Sequence, residues 1–392
     1  MKTRVLFVVN TLQYGGLEKH VLALVRRLDS SRLECTILCL GPDFYSQRLS
    51  DQPNVRVIQR NERSVETFFS YWSVFPKLQP QIIIFVKGHV DSYPVIVYFA
   101  ARLLGAPRLL TMEQLLADPV PAKAKGGGVQ NFLRRFVGWR ARYVVRHVWP
   151  KRLAGAMIDK TICISNAVRD RLVHEYGLPA RKMVTIPNGV DLTYFDSMNG
   201  INARSIKERL NLDHRDTVIV CVSRLDRRKR IDVLLEAFSI VLKDHPSCKC
   251  VIVGTGPEEA KLHATARNLG IAASVTFAGF AEDVRPYLER SDIYVSSSIQ
   301  EGLGVSIVEA MACRLPCVVT NISGHTEVVV HELNGLLVAP ESPKDLADAI
   351  KYLVVHKEER ARMGINGRRR VEELFDINNS VVKMKAVLFG QL

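Results

Sequence analysis

Short apolar runs recur along the whole chain, separated by helical stretches and polar turns, and this alternation narrows the fold more than any other feature. In the first half the runs are 4–10, 34–40, 55–58, 81–86, 108–111, 160–164 and 183–186; in the second they are 217–222, 249–253, 275–277, 292–295, 317–320 and 335–338. Several are apolar on both alternating faces, as a strand must be when helices cover both sides of its sheet. Between the first two runs, Leu17, Val21, Leu24, Val25 and Leu28 trace a helical stripe. Helical patterns also fill 231–242, 258–269, 283–289, 305–312, 343–354, 358–374 and 380–388. Strands and helices in this order form parallel sheets wrapped by helices. The 392 residues exceed one core. The expected architecture is α/β: two facing, Rossmann-like, doubly wound parallel sheets with an interdomain cleft. Residues 191–216 are polar, contain Met198-Asn199-Gly200 and lack periodicity, so they read as a linker. This gives a first domain over 1–190, a second over 217–375 and a C-terminal helix over 376–392 with the option of packing back on the first domain.

With 47% hydrophobic and 24% charged residues, the chain is one that folds rather than a disordered one. No apolar run reaches the roughly 20 residues that span a bilayer; 95–106 is interrupted by Arg102. The apolar core at 5–9 is too short for a signal peptide and reads as a first buried strand, which points to the cytoplasm. Cys248 and Cys250 alternate on a strand, Cys313 and Cys317 straddle a helix end, and no CxxC occurs, so the eight cysteines are expected to be buried thiols.

Chemistry concentrates in 296–316, SSSIQEGLGVSIVEAMACRLP. A strand precedes it and a helix fills 305–312, so 301–304 must be the turn between them. Gly302 and Gly304 remove side chains where a helix start offers its backbone N–H groups, and those groups with the helix dipole favour an anion. Glu301 and Glu309 flank that anion site with seven residues between them. A carboxylate does not ligate phosphate, but as an acceptor-only group it takes the hydrogens of a sugar diol. Glutamates at helix starts and glycines in turns also occur for local reasons alone, so the weight of this stretch lies in its partners. Arg224 and Lys229 follow the run at 217–222 and are placed to neutralise a diphosphate, while Arg227, Arg228 and Arg230 read as a solvated face. No Asp-x-Asp pair is present to hold a metal over a diphosphate, so the expectation is no metal, with cations and a helix dipole in its place. Near the N-terminus, Gln13-Tyr14-Gly15-Gly16 is not GxGxxG, and Glu34 opens the next strand instead of closing it, which rules against dinucleotide binding. Gly15 and Gly16 either admit close approach of a ligand or form a simple tight turn.

In this order the motifs resemble those of the GT-B glycosyltransferases of family 4, over nearly the whole chain: Gly15-Gly16, ICISNAVRDRLVHEYG at 162–177, IPNGVD at 186–191, SRLDRRK at 223–229, VGTGPE at 253–258 and EGLGVSIVEAMACRLPCV at 301–318. The resemblance implies a nucleotide sugar as co-substrate, uridine being the expected base, and no other cofactor. By it Arg224 and Lys229 hold the donor diphosphate and Glu309 the ribose hydroxyls. Glu301 lies against the donor sugar, amides of Leu303, Gly304 and Val305 meet the phosphate beside Gly302, and Gly15 and Gly16 approach the donor. Catalysis would rest on Glu301, Arg224 and Lys229, with retention at the anomeric carbon by a front-face displacement in which the leaving diphosphate takes the acceptor proton. Three departures stand out: Ser223 precedes Arg224 where glycine is frequent, Leu303 separates the two glycines where phenylalanine is frequent, and 108–114 reads RLLTMEQ where many members carry a histidine. Glu113 or Gln114 occupies that neighbourhood, and His89 is a substitute or a solvated loop residue. The acceptor-side candidates are therefore His89 and Glu113.

The net charge of +14 is unevenly spread: 119–152 holds nine Lys or Arg residues and no acid. Phe132, Phe136, Trp139 and Tyr143 share one helical face and Arg134, Arg135, Arg142 and Arg146 fall toward the other, so 130–149 reads as a basic amphipathic helix suited to an anionic membrane surface. Val137, Val144 and Val148 widen the apolar face and keep a core-facing helix open; RNA ranks last, with no nucleic-acid module recognisable. The expected function is transfer from a UDP-sugar to a lipid-linked or membrane-proximal saccharide, in cell-surface polysaccharide or glycolipid synthesis, on the inner face of the plasma membrane. A soluble transferase acting on a small metabolite or a glucan, and an epimerase or binding protein that holds a nucleotide sugar without transferring it, are the alternatives.

Overall fold

The computed structural model describes residues 2–10, 12, 16–40, 55–59, 75–87, 95–103, 105–113, 149–197, 213 and 216–392. Among them, thirteen strands stand where apolar runs predict them, with ends shifted by one or two residues. The first seven are β1 (Thr3–Val9), β2 (Leu33–Cys39), β3 (Val55–Gln59), β4 (Ile82–Lys87), β5 (Arg108–Glu113), β6 (Lys160–Cys163) and β7 (Met183–Thr185). They form one parallel sheet in the order β3-β2-β1-β4-β5-β6-β7. β4 is buried along its whole length, consistent with helices on both faces.

The second sheet contains β8 (Thr217–Val222), β9 (Cys248–Val253), β10 (Val275–Gly279), β11 (Ile293–Ser296), β12 (Cys317–Thr320) and β13 (Gly335–Val338), all parallel, in the order β10-β9-β8-β11-β12-β13. Each sheet reverses direction of winding once, between β1 and β4 and between β8 and β11. Such a reversal leaves a crevice at the carboxyl ends of the two adjacent strands, where doubly wound folds hold ligands. In the second sheet it opens between the loops 223–230 and 297–304.

Five helices bear on the site and on the division of the chain: α1 (Gly16–Arg27), α2 (Leu192–Asp196), α3 (Val305–Ala312), α4 (Ser323–Thr326) and α5 (Ile377–Leu388). The core of the first sheet packs Leu6, Phe85, Tyr98 and Leu109 together, with Phe85 edge-on to Tyr98 at 4.8 Å between ring centroids. Phe238, Ile252, Leu346 and Ile350 are central to the second core.

The chain divides into one unit of Met1–Ile186 with Val381–Leu392 and another of Pro187–Ser380. In the first, the Arg108 guanidinium donates to the carbonyls of Leu388 (2.6 Å) and Val387 (3.0 Å), and that of Arg32 lies 4.1 Å over the Phe389 ring. In the second, Val190 N–H donates to Phe375 O at 2.8 Å and Ile377 N–H to Val190 O at 3.0 Å. A Cβ on Gly189 would stand 2.6 Å from the Ile377 backbone, so only glycine lets these segments meet. The structural boundary therefore falls ahead of 190, and 191–196 is not linker: Asp191 caps α2 by accepting from Tyr194 N–H. Local polarity misleads here because a long-range backbone bridge decides the outcome.

All eight cysteines are free, and all but Cys313 are fully buried. Among the described residues no helix is long and apolar enough to cross a membrane. The stretch 130–148, for which an amphipathic helix is expected, lies outside the described residues, as do Gly15 and His89.

Candidate active site

The loop after β8 is shaped from beneath by the one after β9. Gly254 has φ +134°, and a Cβ there would come within 1.9 Å of Ser223 O; one on Gly256 would come within 2.3 Å of Leu225 O. Backbone bonds from Ser223 N–H to Val253 O (3.0 Å), Leu225 N–H to Thr255 O (2.9 Å) and Glu258 N–H to Leu225 O (3.0 Å) close this contact. The SRLDRRK and VGTGPE motifs are thus two halves of one packed turn. Within it Asp226 accepts from Arg228 N–H at 3.0 Å and pairs with its guanidinium at 2.8 Å, and Arg230 pairs with Asp232 and Glu341. Arg228 and Arg230 are accordingly tied into the loop rather than forming a solvated face; Arg227 is the exposed one of the three. Their acidic partners lie close in sequence for Arg228 but far away for the Arg230–Glu341 pair, which no spacing rule reveals.

The loop after β11 is then zipped to the loop after β8. Ser297 Oγ donates toward the carbonyls of Lys229 (2.9 Å) and Arg230 (2.8 Å), and Ile299 N–H donates to Arg228 O at 2.9 Å. This brings the Lys229 ammonium onto Glu301 Oε1, which also accepts from Ser298 Oγ at 2.9 Å. Burial would push the Glu301 carboxyl up, but the Lys229 charge and the bonds from Lys229 and Ser298 outweigh it and hold the group below its usual range. Glu301 is therefore an anion at neutral pH.

Gly304, at φ +79°, starts α3 without a side-chain cap. The backbone N–H groups of Leu303, Gly304 and Val305 have no protein acceptor among the described residues. They are the orphan donors of a helix start and converge with the positive end of its dipole. Glu309 lies on the same helix, partly exposed. Its charge is felt by the Tyr194 hydroxyl, which burial first, and the nearby carboxylates next, push upward. Arg224 is exposed at the carboxyl end of β8 and makes no side-chain hydrogen bond or ion pair among the described residues. A turn with unpaired amides, an unpaired arginine, a lysine shared with a carboxylate and a second carboxylate along the helix can hold a diphosphate whose two ends carry hydroxyls.

The described candidates of the first sheet are Gly16, which opens α1, and Glu113. Glu113 is 5% exposed and its Oε1 lies 2.7 Å from Lys87 Nζ, its register partner on β4. Burial opposes ionisation of Glu113, but the Lys87 and Lys151 charges overcome it and keep the carboxyl low. A base role for Glu113 would first require that this pair open. Two groups escape sequence reasoning. Glu18 in α1 has its carboxyl pushed up to about 7, by burial. His325 in α4 is fully buried beside the Glu301 turn. A single histidine in SGHT carries no pattern that marks it.

Residues 14–194 match the family described as Glycosyltransferase Family 4, and residues 202–370 match the one described as Glycosyl transferases group 1. A GDP-mannose-dependent alpha-(1-6)-phosphatidylinositol monomannoside mannosyltransferase of Mycobacterium tuberculosis (strain CDC 1551 / Oshkosh) is 32% identical over 263 residues, 65% of this chain and 67% of its own. The chain belongs to the family 4 glycosyltransferases. This family 4 transferase is also 24% identical, over 95% of its length and 92% of the relative's, to the UDP-Gal:alpha-D-GlcNAc-diphosphoundecaprenol alpha-1,3-galactosyltransferase of Escherichia coli. The chain matches only 49% of the length of the Alpha-monoglucosyldiacylglycerol synthase of Streptococcus pneumoniae (strain ATCC BAA-255 / R6) and 54% of that of the Putative glycosyltransferase EpsD of Bacillus subtilis (strain 168). Its fold is shared with Anabaena Alr3699/HepE, crystallised in complex with UDP and glucose, at a TM-score of 0.79 and 20% identity, covering 99% of this chain and 100% of that one. The architecture is thus GT-B, and the enzyme is a glycosyltransferase.

Proposed function

We propose that this transferase moves a hexose from a UDP-sugar to a lipid-linked or membrane-proximal saccharide in the synthesis of a cell-surface polysaccharide or glycolipid, with retention at the anomeric carbon. The observation that carries the reading is the meeting of Lys229 and Glu301 beside the unpaired amides of 303–305. In it the donor pyrophosphoryl group lies on those amides and on Arg224, and draws the Lys229 ammonium partly onto itself. Glu301 faces the donor sugar and Glu309 the ribose. The bond from the anomeric carbon to the leaving phosphate oxygen breaks, and the acceptor oxygen bonds to that carbon on the same face. The departing phosphate oxygen takes the acceptor proton. Fixed cations and oriented dipoles oppose the charge growing on the leaving group, worth several kcal/mol of barrier in a site of this kind, and no divalent ion takes part.

Two features support the acceptor class. The mycobacterial and Escherichia coli relatives act on a phosphatidylinositol mannoside and a diphosphoundecaprenol by name. The acid-free basic stretch 119–152 runs into a helix on which Trp149 and Leu153, one turn apart, are 57% and 50% exposed. On this reading the enzyme sits peripherally on the inner face of the plasma membrane.

A thermal-shift screen of nucleotide sugars, followed by an acceptor assay on lipid extract with the strongest stabiliser, tests it. The expected result is stabilisation by a uridine nucleotide sugar and a radiolabelled product that partitions with lipid. Water-soluble products alone would sink the acceptor class, and an absence of any transfer would sink the reading.

A further inference from the structure

His325 is fully buried, and its ring lies between the ends of β11 and β12 beside the Glu301 turn. Nδ1 lies 2.9 Å from the carbonyl oxygen of Thr320, the last residue of β12. A carbonyl only accepts, so Nδ1 carries the hydrogen. Nε2 of the neutral ring is then an acceptor, and Ser296 Oγ, at the end of β11, stands 3.4 Å from it as the donor. Ser298 Oγ gives its one hydrogen to Glu301 Oε1 at 2.9 Å, so its 3.3 Å approach to Ser296 Oγ is a packing contact with no hydrogen left for it, and the backbone of Ser298 is held from β12 by Thr320 Oγ1, which donates to Ser298 O. A Cβ on Gly304 would lie 3.4 Å from His325 Cδ2, so the ring props the left-handed residue that opens α3. Its neighbour Gly324 sits so close that a Cβ would reach 2.4 Å from Glu301 O. Glu301 and Lys229 are the charged groups that act on the ring, and burial pushes the imidazole down to about 4 in spite of Glu301.

We propose that His325 is a positioning residue for Glu301: by tying the ends of β11 and β12 together beneath the 301–304 turn, it holds in place the 296–298 segment, whose Ser298 hydroxyl donates to Glu301, and so sets the carboxylate against Lys229. The proposal rests on the proposed function for its kinetic consequence, but its structural content does not. His325 acts through the strand ends that carry Ser296 and Thr320, its ring being fully buried.

The test uses the full chain with ¹³C-labelled glutamate, and steady-state kinetics with the best nucleotide sugar. His325→Leu removes both ring nitrogens, Ser296→Ala removes one hydroxyl with almost no change of volume, and His325→Gln can restore a polar contact to Ser296. In the first two variants the Glu301 carboxyl titration moves upward and kcat falls about tenfold or more, with donor KM within about threefold because the diphosphate ligands are untouched. In His325→Gln kcat recovers to within about threefold of the parent. Should His325→Leu fail to fold, Ser296→Ala carries the comparison. An unmoved Glu301 titration overturns the proposal whatever kcat does, and so does an unchanged kcat with a moved titration in an active enzyme. A wild-type protein that turns over no nucleotide sugar, while its Glu301 titration responds to these substitutions, overturns the proposed function and leaves the positioning role standing.

Discussion

Lys229 and Glu301, 72 residues apart in sequence, form an ion pair because the loops that leave β8 and β11 are zipped together by Ser297 and Ile299. Both side chains are largely shielded, 18% and 14% exposed, so the pair is held in a medium where charge acts strongly.

Removing the cation exposes that dependence. In Lys229→Met the burial that pushes the Glu301 carboxyl up is no longer outweighed by its main opponent. The acid limb of the kcat/KM profile is expected to move to higher pH, and kcat at neutral pH to fall about 100-fold or more, since on the proposed function Lys229 is a cation on the leaving group. A pH–rate profile of the parent and variant checks both.

Arg224 and Glu309 are expected to separate in kinetics. Arg224, exposed and without a side-chain partner among the described residues, has nothing to stabilise in the folded protein; Arg224→Ala should lower kcat by about 100-fold with the melting temperature nearly unchanged. On the proposed function Glu309 contacts the ribose in ground and transition state alike, so Glu309→Ala should raise donor KM about tenfold with kcat kept. Initial rates over a donor series, with thermal melts of each variant, decide the matter.

The buried pair of Lys87 and Glu113 gives a stability test independent of chemistry. Glu113→Gln leaves an ammonium in a buried site and should destabilise the fold by about 3–5 kcal/mol, whereas the double change Lys87→Met with Glu113→Gln should recover part of that loss. Urea unfolding of the two single variants and the double variant closes the cycle. Additive losses would show that the pair is not coupled.

His325 predicts how stability depends on pH. Its folded-state value of about 4 lies below the ordinary 6.5, so the unfolded chain binds the extra proton first as pH falls. The contribution of the neutral ring is complete above about pH 6.5 and is lost as pH drops toward 4, a span of about 3 kcal/mol. Urea midpoints measured from pH 7 to 4.5 should fall less steeply in His325→Gln than in the parent.

Strand positions were readable because an apolar run buried on both faces leaves its mark residue by residue, and β8, β12 and β13 fall on the expected residues. Glu113 shows the limit of that signal. A charged residue ends a run when composition is the guide, yet β5 continues through it because Lys87, its register partner, neutralises it.

What the sequence determined alone is the α/β alternation, the glycines at 302 and 304 where a helix must begin, and the supply of cations and carboxylates at strand ends. These are local matters: side-chain period, backbone freedom and turn chemistry act over a few residues. Which cation meets which carboxylate, where the chain passes from one unit to the next, and why a lone histidine lies under the Glu301 turn were decided only by tertiary structure. Each depends on segments tens to hundreds of residues apart being brought within hydrogen-bond range, and no periodicity along the chain encodes that.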